Sequence, residues 1–110
     1  MLDAVWSVNF TLPNGTAGSG VVVIDHGRIT GGDGAFVYTG HLQSEGDYIS
    51  AELEVRKYQD PKSLYSAVGT RKFKVALKGR KRAGKYSLQG TAANGLSLSA
   101  ELIRLEDLPV

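Results

Sequence analysis

Residues 48–58, YISAELEVRKY, decide the fold. Ile49, Ala51, Leu53 and Val55 share one parity, and Ser50, Glu52, Glu54 and Arg56 share the other. A side-chain period of two is that of a strand with one buried and one wet face. Just upstream, Ser44-Glu45-Gly46-Asp47 is polar and reads as a hairpin turn. Before it, GAFVYTGHL alternates again, with Phe36 and Tyr38 against Val37 and Thr39. Further back, Trp6, Val8 and Phe10 share one face of a first strand. GSGVVVIDHG forms a second, closed by a tight turn at Asp25-His26-Gly27. RIT is a short third, followed by a turn at Gly31-Gly32-Asp33-Gly34.

Downstream the pattern continues. Phe73, Val75 and Leu77 point inward, Tyr86 pairs in parity with Leu88, and Leu96, Leu98, Ala100 and Leu102 close the series. Pro13-Asn14-Gly15 and Asn94-Gly95 are turn signals, because Asn and Gly accept positive φ. Residues 59–69 break the alternation and read as a longer loop, with a helical turn after Pro61. About eight strands joined by hairpin-length connections describe a meander. A flat meander exposes two edges, and closure removes them. The expectation is therefore an all-β chain, one domain over residues 1–110, folded as an eight-stranded antiparallel up-and-down β-barrel. A β-sandwich is the structural alternative. Gly18, Gly20, Gly40 and Gly90 fall in or at the ends of strands, where bulges and corners place them.

Composition narrows the chemistry. The 110 residues include no cysteine, which excludes disulfides and thiolate metal sites and favours a reducing, cytoplasmic setting. The first ten residues have neither a basic nor an apolar leader region, so no secretory signal is expected. The longest apolar run, Val21 to Ile24, is too short for a membrane span, and no membrane partner is expected. His26 and His41, the two histidines, read as solvated, without a nucleophile elbow or a metal motif, so neither enzyme activity nor a cofactor is expected. Asp25, His26 and Asp33 are near one another in sequence, but a turn aspartate satisfying backbone donors explains them better than a metal. The glycine-rich stretches open no helix, which argues against a phosphate cradle.

Net charge is +2, yet residues 71–85 carry eight of the thirteen Lys and Arg and no acid. Arg80, Lys81, Arg82 and Lys85 would be the phosphate-gripping residues of a nucleic-acid binder. Phe73 and Tyr86 alternate with core positions rather than standing free to stack, which argues against that role and for a solvated hairpin. A barrel this small is expected to be filled by its own side chains. Its alternative is a pocket for a small apolar ligand, lined by Trp6, Phe10, Phe36, Leu53, Phe73 and Leu88.

GSG at 18–20, ITGGD at 29–33, YTG at 38–40 and VRKY at 55–58 resemble the GrlR-type negative regulators of type III secretion loci. The resemblance covers about residues 5–58. It implies a lipocalin-like barrel, a homodimer, and a protein partner that is a transcriptional activator held inactive. It also implies that Glu45 and Asp47 stand where the family carries an acidic Glu-Asp-Glu-Asp cluster, with Gly46 departing from it. Gly31, Gly32 and Asp33 then read as a structural corner, with Asp33 bonding backbone amides.

Overall fold

The computed structural model describes residues 2–13, 15, 17–58, 72–92 and 95–109. The described residues form eight strands: β1 (Ala4–Thr11), β2 (Ala17–Asp25), β3 (Arg28–Gly32), β4 (Phe36–Glu45), β5 (Tyr48–Lys57), β6 (Lys72–Arg82), β7 (Lys85–Ala92) and β8 (Ser97–Glu106). Each pairs antiparallel with the next, and β1 pairs with β8, so the sheet closes into an up-and-down barrel. That closing seam excludes the sandwich. The loop expected at 59–69, with its turn after Pro61, lies outside the described residues.

Parity sets the core. On β5, Ile49, Ala51 and Val55 are buried and Leu53 nearly so, while Glu52 and Arg56 face water. The same parity carries on to Lys57, which is 7% exposed. On β2, Val22 and Ile24 point inward and leave Val21 and Val23 exposed outside.

The hairpin turns follow their residues. Gly46 has φ of 62° at the first central position of the two-residue β4–β5 turn, as a type II′ turn requires. His26 and Gly27, and likewise Ala83 and Gly84, are both at positive φ, the type I′ pattern. Ala83, at φ 52°, has neither the freedom of glycine nor the local hydrogen bonding of asparagine.

Two expectations change. Gly31 and Gly32 belong to β3, paired with β2 and β4, so the turn begins at Asp33. The reason is close approach: a Cβ on Gly31 would lie 2.1 Å from the Val21 carbonyl oxygen. The register shift among the strands is at Val5/Trp6 on β1, against β8, and not at a glycine.

Connections alternate between two barrel ends. One end holds the β2–β3, β4–β5 and β6–β7 turns. There Trp6 and Tyr86 meet edge to face with centroids 5.7 Å apart, and the Trp6 indole N–H donates to the Leu2 carbonyl at 2.9 Å. The other end holds the β1–β2, β3–β4 and β7–β8 connections and the start of β6.

Candidate functional site

The barrel is not filled. A cavity of about 300 Å³ is lined at mid-barrel by Ala51, Leu77, Leu88 and Ala100, and it extends to Ile24, Ile29 and Leu42 near the β2–β3 turn as well as toward the opposite end. The expectation of a self-filled interior is thereby corrected. Space is left because the small Ala51 and Ala100 stand on the wall where larger side chains would fill it, whereas the Phe10 ring already occupies the place of a Gly18 side chain. All three phenylalanines of the chain, Phe10, Phe36 and Phe73, line it. Phe36 and Phe73 pack edge to face with centroids 6.3 Å apart. Exposed Ala17, Ser19 and Gly34 border the cavity at the rim.

Of the residues proposed from sequence as lining, Phe10, Phe36, Leu53, Phe73 and Leu88 are on the wall. Trp6 is not. It shares their parity but sits near the start of β1, packed on Tyr86, because parity fixes the face of a strand and not the height along it. The wall also includes Val8, Val22, Val55, Val75 and Leu98, which the same alternation would have supplied.

Polarity is concentrated in one corner, built around Asp33 at the β3–β4 turn. Its Oδ1 accepts the backbone N–H of Ala35 and of Phe36, each at 2.8 Å, and its Oδ2 accepts the Tyr38 hydroxyl. The Asp33 N–H donates to the Phe36 carbonyl at 3.0 Å. The Tyr58 hydroxyl donates to the Asp33 carbonyl at 2.6 Å, and the Tyr58 N–H to the Ala35 carbonyl at 2.8 Å. Burial, and next the hydrogen bond to Asp33, hold the Tyr38 phenol well above its ordinary pKa. Asp33 and Tyr38 both reach the cavity wall. A Cβ on Gly20 would sit 2.6 Å from the Gly32 carbonyl oxygen and 3.2 Å from the Tyr38 ring. The four stretches GSG, ITGGD, YTG and VRKY thus converge on one corner of the barrel. Sequence reading placed Asp33 in a turn but did not join it to Tyr38 or to the cavity. The signal was an aspartate opening a short turn and a tyrosine five residues on, in the strand that follows.

The other candidates lie elsewhere. Glu45 and Asp47 are both exposed at the β4–β5 tip. The β6–β7 hairpin stands beside them, with the Lys81 N–H donating to the Asp47 carbonyl at 2.9 Å and Arg80 bonding the Tyr48 hydroxyl at 3.3 Å. Arg80, Lys81, Arg82 and Lys85 are exposed, but this neighbourhood mixes both signs of charge. Asp25 and His26 do not meet Asp33, which is at the opposite end of β3. They gather with Asp3 instead, where the His26 N–H donates to an Asp3 carboxylate oxygen at 3.1 Å. No helix among the described residues is long and apolar enough to cross a membrane.

Neither a family model nor a curated protein matches the chain. Among solved structures, it is similar to the structure of a redesigned beta barrel. The two share 17% identity and a TM-score of 0.69, over 96% of this chain and 92% of that one. Likeness at that identity speaks to the fold alone, and it agrees with the closed barrel.

Proposed function

We propose that this chain is a non-enzymatic binding barrel that holds a small apolar molecule in its interior. The cavity of about 300 Å³ carries this reading. As a sealed dry void it would cost about 7 kcal/mol, at roughly 24 cal/mol per Å³. That is of the order of the whole stability of a small domain. Filled with about ten waters, it would offer them few hydrogen-bond partners beyond the Asp33 corner. An apolar occupant relieves both penalties.

The test is native mass spectrometry of gently purified protein, together with fluorescence titration of a neutral naphthylamine probe. Wild type should retain an adduct or bind the probe, and Ala51→Phe, which projects a ring into mid-cavity, should abolish both. A bare wild-type chain that leaves the probe dark would end this reading.

A second reading follows from the resemblance: surface capture of a transcriptional activator by a cytoplasmic homodimer. What supports it is the exposed β4–β5 tip, where Glu45 and Asp47 flank Gly46 and Tyr48 is 60% exposed. Charge reversal at Glu45 and Asp47 should weaken capture of such a partner without lowering the melting temperature. Capture at wild-type strength would remove the tip as the site.

A further inference from the structure

The polar corner of the cavity is one-sided in its hydrogen bonding, and this deepens the reading of the barrel as a container. An ionised carboxylate has about four acceptor positions and no donor. At Asp33, Oδ1 takes two backbone N–H groups and Oδ2 takes one hydroxyl, so one acceptor position on Oδ2 is left over. Tyr38 spends its single hydrogen on Asp33, and its oxygen keeps lone pairs. Tyr58 likewise spends its hydroxyl hydrogen on the Asp33 carbonyl. Every hydrogen of these three side chains is committed, and what remains is acceptor capacity.

Among the described residues no cation lies within ion-pairing distance of Asp33. Lys57 is buried on the neighbouring strand, but it is not on the cavity wall. Ser19, at the rim, is the one other hydroxyl side chain bordering the space among the described residues.

We infer that the cavity selects an apolar molecule ending in a hydrogen-bond donor, an amine or an alcohol, over a carboxylate on the same chain. An ammonium or hydroxyl group placed at the corner meets the free acceptors of Asp33 Oδ2 and Tyr38 Oη. A carboxylate placed there meets a like charge and no free hydrogen on Asp33, Tyr38 or Tyr58. The inference rests on the cavity being a binding site.

The experiment is calorimetric titration of the full chain with decylamine, decanol and decanoate at neutral pH, with Ala51→Phe as the control for surface adsorption. Decylamine should bind at least about tenfold more tightly than decanoate, the scale of one charge-assisted hydrogen bond. Asp33→Asn replaces an acceptor with an N–H donor and should collapse that ratio. Tyr38→Phe keeps the carboxylate and should preserve the ratio, which keeps the inference testable if the Asp33 variant fails to fold. Decanoate binding as well as decylamine would overturn the selectivity and leave the container reading standing. An unchanged ratio in Asp33→Asn, or a lost ratio in Tyr38→Phe, would also overturn it. Failure of all three compounds to bind would overturn the container reading and this inference with it.

Discussion

Asp33→Ala is the most informative perturbation of the fold. It removes three hydrogen bonds at once, from the backbone of Ala35 and Phe36 and from the Tyr38 hydroxyl. Ala35 is fully buried and Phe36 is 9% exposed, so their N–H groups have little access to replacement water. Each buried donor left unpaired costs about 1–3 kcal/mol. The Tyr38 hydroxyl can turn toward the cavity and loses less. The sum is about 4 kcal/mol, a large part of the roughly 5–15 kcal/mol that holds a domain together. At about 4 °C per kcal/mol for a chain of this size, the melting temperature should fall by about 15 °C. Asp33→Asn keeps an amide oxygen for the two backbone donors and loses the charge. Charge assistance roughly doubles a hydrogen bond, so this variant should lose about 1–2 kcal/mol. Circular dichroism melts and urea titrations of both variants give the numbers. An Asp33→Ala protein that melts within about 2 °C of wild type would refute the corner as a structural clasp.

Three further outcomes are expected. Gly90→Ala should destabilise by about 3 kcal/mol or prevent folding, because the new Cβ would lie 1.8 Å from the Ala76 carbonyl oxygen across the β6–β7 pair; urea midpoints measure it. Ala83→Asn should stabilise by about 1 kcal/mol, since φ of 52° suits asparagine at the first position of a type I′ turn, and a melt no higher than wild type would contradict this. Stability should be constant below about pH 10 with respect to Tyr38, whose phenol is raised in the folded chain. Above that value the unfolded chain loses a proton that the folded chain keeps. Stability then falls by about 1.4 kcal/mol per pH unit until the folded phenol also ionises. Tyr38→Phe should make that alkaline limb shallower in denaturant titrations across pH, leaving the part due to Tyr86, whose phenol burial also raises.

Alternation made the walls of the barrel legible from sequence. Ile49, Ala51 and Val55 are buried as their parity requires, and the turns at Gly27, Gly46 and Gly84 fall where short polar segments interrupt it. Height along the barrel was not legible. Trp6 and Phe10 share a face of β1, yet one packs on Tyr86 and the other lines the cavity. That difference depends on how the strands are staggered around the closure, which no single strand encodes. Nor was the cavity legible, since interior volume is a sum over all eight strands. Inward positions held by alanine on β5 and β8 leave space that the phenylalanines do not refill. Gly31 and Gly32 misled for a related reason. Glycine usually signals a turn, but here it lets β2 and β3 approach within a paired ladder.

The Asp33 corner joins stability to selectivity, and the two effects can be separated. The carboxylate caps the β3–β4 turn through Oδ1 and turns Oδ2 toward Tyr38 and the cavity wall. A loss of binding in Asp33→Ala therefore has two explanations, a collapsed turn or a missing acceptor. Tyr38→Phe distinguishes them, because it leaves both Oδ1 bonds in place and changes only the Oδ2 side. If the corner acts on ligands through its acceptors, Tyr38→Phe should lose about 1 kcal/mol of stability, for one hydrogen bond, and still favour decylamine over decanoate. If the corner matters to binding only by holding the turn, the variant's discrimination should be no better than the apolar wall alone provides, and the two compounds should bind alike.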